Sequence, residues 1–450
     1  MNTDVFATII FLLFLSTANT LDVKIDSNSN TVPATQNVKL DGIVLKVAMY
    51  PYLPDSGNDK FANLLRFIQE EFKKIEPNVT LQLRPLISDA DFYSLTTLTS
   101  WLSSTGNEYD VVEIDTVILG EVVSAGLIAP QFSIFDIPSD WHPAAASAVQ
   151  MNQAVYGYPH LMCGYFLFTR DEQVAKVTSL GELADVVNRN VSATYRLIGN
   201  LNSSWELPAL WINSYLNSNH SDSNVGAFAL HAYRSEWFEP VRKLAQLCER
   251  VEGENDCMNG LFKDNTTMTS ILFARKQTMT MFGYSERLFH ILKNADPDDF
   301  FKIKMIPLPS GTTANRPSFF TDAFVFRHNM SDDVLKAARA FVEFMGTPRM
   351  QAAVVGREAG NNGSLRYLLP MSRNAYNEPP LVNDRFYQQY FRNLSAGHTY
   401  PTVGFINARK DLQAALIKYI DSSNHSKSSS SSILPFYSIY LFLLLFIFLL

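Results

Sequence analysis

Residues 156–170, YGYPHLMCGYFLFTR, decide how the rest of this 450-residue chain is read. Tyr, Phe and Leu dominate the stretch, and Gly157 and Pro159 set its start, so an extended segment is predicted. Its middle holds Cys163, one of only three cysteines, between Met162 and Gly164. Gly164 has no side chain, which predicts that another group approaches the sulfur closely from that side. His160 lies three residues before Cys163. In an extended segment two such side chains point to opposite faces, which argues against a Cys–His pair. We therefore take Cys163 as a candidate nucleophile at the floor of a cleft between two lobes.

Upstream, residues 46–52 (KVAMYPY) predict a strand ending at Pro51 and Pro54. Phe61, Leu64, Leu65, Ile68, Phe72 and Ile75 recur at helical spacing, giving a helix over 59–75. A strand at 81–86, a helix at 92–102, a buried strand at 109–115 and a helix at 117–125 closed by Gly126 follow. This alternation implies a parallel sheet. Ligands of such sheets sit outside the carboxyl ends of the strands, where Tyr50, Tyr52 and Asp115 fall. Downstream, helices are expected near 180–187, 206–216 and 237–249, and strands at 278–282 and 303–307. In Gly283-Tyr284-Ser285-Glu286 a strand turns into a helix, with Ser285 its predicted N-cap. A strand at 318–326 precedes a helix capped by Ser331-Asp332-Asp333 and running through Phe344. A helix over 348–355 has Pro at its first turn. Helices at 383–393 and 408–420 close the fold.

Ends and composition narrow the class. Residues 5–18 form an apolar run of signal-peptide length, with 1–20 as the signal and 21–42 as a flexible leader. The last 18 residues, 433–450, are apolar to the end. A serine-rich spacer and the small cluster Ser422-Ser423-Asn424 precede them, the order of a GPI-attachment signal over 422–450 with Ser422 as the attachment residue. The alternatives are an uncleaved N-terminal anchor and a retained C-terminal helix, although no cytoplasmic Lys or Arg follows the latter. Sequons at Asn78, Asn190, Asn202, Asn219, Asn265, Asn329, Asn362, Asn393 and Asn424 suit a glycosylated surface protein. The net charge of −7 argues against nucleic acid and for a cationic or neutral ligand. Cys248 and Cys257 flank a polar loop and are expected to pair in an oxidising compartment. Cys163 is then odd, and is either a reactive thiol or an inert buried one. The length between the signals suits two lobes, 43–157 plus 313–358 and 158–312 plus 359–421.

The order of elements resembles the two-lobed, periplasmic-binding-protein-like (type II) α/β fold of extracellular solute-binding proteins. YDVVEIDTVILGEVVSAGLIAP (109–130), AVYGYPHLMCGYFLFTRDE (154–172) and KAARAFVEFMGTPRMQAAVV (336–355) carry that resemblance. Within this superfamily MYPYLPD (49–55), the Cys163 stretch, FGYSERL (282–288) and FFTDAFVF (319–326) resemble thiaminase I, thiamine pyridinylase, in the same order. The resemblance covers most of residues 44–420. It implies a transferase that replaces the thiazole of thiamine with another nucleophile, an amine, a thiol or water. Cys163 would form the covalent adduct and Glu286 would be its base. Tyr50, Tyr52, Asp115, Tyr284 and Asp322 would line the cleft around the pyrimidine. One departure is visible: Phe320 stands where the family pattern leads us to expect Tyr, which removes a hydroxyl and keeps the stacking face.

This chemistry needs those residue types. A thiol is only a few per cent thiolate at neutral pH and needs a base within reach. Aspartates can accept hydrogen bonds from an exocyclic amine and offset the thiazolium charge, and tyrosine faces can stack. Each residue also has a structural alternative. Glu286 could serve a helix dipole, Asp115 could be an N-cap, and the two tyrosines could simply pack. Asp322, in an apolar strand, is harder to dismiss because a buried unpaired carboxylate is costly. No metal-ligand spacing, phosphate loop or serine-hydrolase elbow is present, so neither cofactor nor metal is expected. The competing reading is a non-catalytic, GPI-anchored monomeric receptor for thiamine or another small solute.

Overall fold

The computed structural model describes residues 42–189, 195–218, 230, 235–250, 253–263, 265–310, 316–393 and 397–430. The signal and leader readings (but for Gly42), the sequons Asn190 and Asn219, and the apolar run 433–450 lie outside these residues. No helix among the described residues is long and apolar enough to cross a membrane.

The first half builds as its periodicity dictates. Strand β1 (Ile43–Ala48) leads to the helix Ala62–Ile75, whose buried Leu64, Ile68 and Phe72 fall on one face. β2 (Val79–Leu83), the helix Leu95–Leu102 and β3 (Val111–Asp115) follow. β1 ends four residues before Tyr52, because Pro51 and Pro54 cannot extend the ladder, so Tyr50 and Tyr52 stand on the loop beyond it. After β3 the expected helix is split into a 3-10 turn, Thr116–Ile118, and the short helix Leu119–Ser124, closed by Gly126 at φ 67°.

Three two-residue strands, β4 (Phe132–Ser133), β5 (Gln150–Met151) and β6 (Ala154–Val155), form a small separate sheet. They lead into β7 (Tyr158–Thr169), the stretch quoted above. The remaining strands are β8 (Thr280–Tyr284), β9 (Lys304–Pro307), β10 (Ser318–Phe326), β11 (Leu369–Pro370) and β12 (His398–Thr399). The large sheet runs β11-β7-β10-β3-β1-β2. It is mixed, not parallel: β1 is parallel to both β2 and β3, but β10 enters antiparallel between β3 and β7. The local alternation of strands and helices says nothing about a strand that arrives two hundred residues later and runs the other way.

β7 changes partners halfway. Tyr158 to Gly164 pair with β10, while Tyr165 to Thr169 pair with β8 and β9. Both faces of this junction are covered. One core holds Leu64, Ile68, Phe72, Phe341 and Val355, and a second, largely helical core holds Leu207, Trp211, Leu244 and Leu412. Cys163 packs against both. The two-lobed α/β fold thus turns on the strand that carries the odd cysteine.

Three local expectations are corrected. Ser285 does not cap the helix Arg287–Asn294; Glu286 takes the N-cap position. The Ser285 amide donates to the Gly164 carbonyl (2.9 Å), prolonging the β7–β8 ladder and delaying the helix start. Helices Pro143–Ala148 and Thr267–Ala274 are additions, the first Ala-rich and without a 3.6-residue apolar period. The last helix runs Phe405–Ser430 instead of stopping at 420, since no Pro or Gly interrupts it. Cys248 and Cys257 form the expected disulfide, and Cys163 is free.

Candidate active site

The floor of the site follows from strand register. Asp322 of β10 stands directly opposite Asp115 of β3, and Phe320 directly opposite Cys163 of β7. Opposed residues of an antiparallel pair share a face, with Cβ atoms about 4.5–5.5 Å apart. Phe320 and Asp322 are two residues apart, as are Cys163 and Tyr165, and Tyr165 in turn opposes Tyr284 of β8. One face of the sheet therefore presents, in sequence across it, two carboxyls, an aromatic ring, a thiol and two tyrosines. The face opens into a cavity of about 530 Å³. Cys163, Glu286, Tyr50, Tyr52, Asp115, Tyr284 and Asp322 all line it, so all seven predicted site residues come together.

The walls are aromatic. The Tyr50 and Tyr52 rings lie edge to face at 5.0 Å, and Tyr52 is 47% exposed at the mouth. The hydroxyls of Tyr50 and Tyr93 are hydrogen-bonded to each other, and Tyr93 donates onward to Asp115 Oδ2 (3.2 Å). Asp115 Oδ1 accepts from the Val117 amide (3.1 Å), so the capping role and the site role coexist on its two oxygens. Phe320 stacks on Tyr400 at 4.0 Å and meets Tyr284 edge-on at 6.0 Å. Tyr400 lines up behind the ring that lacks a hydroxyl and gives its own hydroxyl to the Ala209 carbonyl (3.3 Å).

Burial governs the proton chemistry. It raises the Asp115 carboxyl to about 7, against lowering hydrogen bonds from Val117 and Tyr93. It also raises Asp322 well above the usual carboxyl range, with the Asp115 charge adding to the effect. Two facing carboxyls in one buried site cannot both ionise readily. Burial lifts Glu286 as well, opposed by the neighbouring Arg287 cation. The Cys163 thiol is pushed far up, first by burial and then by the charge of Glu286. The thiol and the carboxyl thus share one cavity and act on each other through their charge.

Two sequence expectations resolve differently. Gly164 does not open a path to the sulfur. Alternation turns it to the opposite face, where a Cβ would meet Phe319 Cδ1 and the Ser318 carbonyl at 2.9 Å, so its bareness admits Phe319. His160 makes no pair with Cys163: it sits at the register shift between β7 and β10, where its Nδ1 bonds Glu113 Oε1 at 2.6 Å. Tyr93, Trp205, Glu206, Lys263, Arg287 and Arg409 also line the cavity and had no signal in the sequence. Only Arg287, adjacent to Glu286, could have been suspected.

The fold and this cleft define a class, the two-lobed solute-binding proteins. A family model described as bacterial extracellular solute-binding protein matches residues 71–366, and the chain belongs to that family. Its particular likeness is to thiaminases. Thiaminase-1 of Paenibacillus thiaminolyticus is 32% identical over 145 residues, 31% of this chain. That match spans 31% of the relative's own length. The solved structure of thiaminase I from Bacillus thiaminolyticus superposes with a TM-score of 0.66 at 19% identity, covering 84% of this chain and all of that one (100%). The sugar-binding protein MalE from Xanthomonas citri superposes at 0.61, with 15% identity over 86% of this chain and 99% of that one.

Proposed function

We propose that this protein is a thiamine-degrading transferase of the thiaminase I kind. One observation carries the reading: the only free cysteine, Cys163, opens into a cavity shared with a basic-shifted Glu286 and a facing pair of aspartates. Glu286 takes the thiol proton. The thiolate adds to the electron-poor pyrimidine carbon next to the ring nitrogen, forming a C–S bond at the expense of aromaticity. The bond from the methylene to the thiazolium nitrogen then breaks, its electron pair staying with the departing thiazole. A second nucleophile bonds to the methylene, the C–S bond breaks, and Glu286 returns its proton to the sulfur. Splitting one hard displacement this way is covalent catalysis. Asp115 and Asp322 hold the aminopyrimidine, and Tyr50, Tyr52 and Tyr284 pack about it.

A second reading, a receptor that binds thiamine without cleaving it, draws on the likeness to MalE-type binding proteins. Incubation with thiamine and pyridine separates the two. The enzyme releases free thiazole and Cys163→Ser loses at least about 10³-fold of that rate. A receptor binds thiamine and returns it unchanged. We further propose lobes at 43–157 plus 313–358 and 158–312 plus 359–421, a monomer, and secretion with a lipid anchor at Ser422. Ser422 is exposed near the end of the last helix. Phospholipase treatment of cells should release the protein; retention in the membrane fraction would refute the anchor.

A further inference from the structure

Charges of both signs line the cavity. Four of its five carboxyls, Asp115, Asp322, Glu286 and Glu206, belong to buried or half-buried positions with the Arg287 cation among them, 4.0 Å from Glu206, while the fifth, Asp91, is exposed. The other two cations, Lys263 and Arg409, also line the cavity, and Lys263 is exposed. Arg409 comes from the last helix. Its guanidinium lies 4.1 Å from the centre of the Trp205 ring and donates from Nη1 to the neutral Ser204 hydroxyl. Its Nε is buried without an acceptor. Neither Arg409 nor Lys263 is ion-paired among the described residues. Asp91 acts on Arg409 only through its field, after Tyr93. A half-buried guanidinium with an unfilled donor is costly to keep unless a ligand supplies the acceptor. A planar fork is also suited to phosphate oxygens.

We propose that Arg409 and Lys263 form a subsite for a phosphate monoester carried on the thiazole side of the substrate, so that the protein takes thiamine monophosphate. This rests on the thiaminase reading. Free thiamine is a cation and satisfies only the acidic end of the cavity. The monophosphate adds a negative charge at the end of the molecule remote from the pyrimidine, and so matches both ends. The ring face of Trp205, fixed between Tyr93 at 4.5 Å and Arg409, provides the wall between the two charge regions.

The test compares kcat/KM for thiamine monophosphate and for thiamine, with pyridine as a neutral acceptor, in the wild-type protein and in Arg409→Gln, Arg409→Lys and Lys263→Gln. The ratio of monophosphate to thiamine should fall about tenfold in Arg409→Gln, and fall less in Lys263→Gln and in Arg409→Lys, which keeps the charge and loses the fork. A ratio unmoved by both Gln variants overturns the subsite. So does a wild-type protein that turns over thiamine and ignores the monophosphate. If wild type turns over neither compound, the thiaminase reading has failed. The subsite is then judged by calorimetry of both compounds on wild type and Arg409→Gln, where a tenfold selective loss of monophosphate affinity supports it and an equal affinity overturns it. Lys263 is exposed, so its variant keeps the test decisive should Arg409→Gln not fold.

Discussion

Asp115 and Asp322 face each other on adjacent strands, and both carry carboxyls raised by burial. The direction fixes a stability consequence. A carboxyl whose folded pKa is raised contributes stability that is present below the unfolded value, near 4, and lost as pH climbs through the folded value, about 7 for Asp115. The unliganded protein should therefore lose stability between those limits. Asp322→Asn should recover on the order of 1 kcal/mol at about pH 8, read as a raised Tm, while turnover of thiamine falls. A variant that is less stable at that pH would contradict the pairing. Glu286→Gln should lower kcat roughly 10²–10⁴-fold and leave thiamine affinity nearly intact, a split that a purely helix-capping Glu286 would not give. At this scale the sequence was informative where a residue broke its surroundings: an odd thiol, a carboxyl in an apolar strand. Tyr93 and Arg409 break nothing locally. One sits in a loop and the other on a long polar helix, and only the folded chain brings them to Asp115 and Trp205.

At the scale of elements β7 is the organising piece, because it leaves β10 and joins β8 at Cys163-Gly164-Tyr165. The position needs a residue that pairs on one side and yields room on the other. Gly164→Ala would place a methyl 2.9 Å from both Phe319 Cδ1 and the Ser318 carbonyl. The backbone carbonyl cannot step aside cheaply, so we expect a loss of about 1–3 kcal/mol in denaturant unfolding. An unchanged midpoint would mean that the junction is slack. β7 was readable from composition to within two residues at its start and one at its end, and β10 without error, since nine consecutive buried positions leave an apolar run in the sequence. The antiparallel insertion of β10 was not readable. Strand direction is fixed by long-range packing, and the β–α alternation of the N-terminal half points to a parallel sheet.

At the scale of the molecule two cores meet on one strand, and the cavity at their junction holds the free thiol. The two-lobed class was legible because three long phrases of the sequence carry its pattern; the distribution of charge around the cleft was not, because two of its cations, Lys263 and Arg409, come from a loop and from the last helix. On the proposed reading a solute-binding scaffold grips its cargo and the Cys163 thiol at the junction makes the grip chemical. The most direct check is the intact mass of the wild-type protein mixed with thiamine and starved of acceptor. The account predicts a population heavier by the pyrimidine-methylene fragment, mapped by peptide digestion to Cys163, absent from Cys163→Ser and discharged by pyridine. Thiazole released at the wild-type rate by Cys163→Ser, with no adduct on any cysteine, would contradict it.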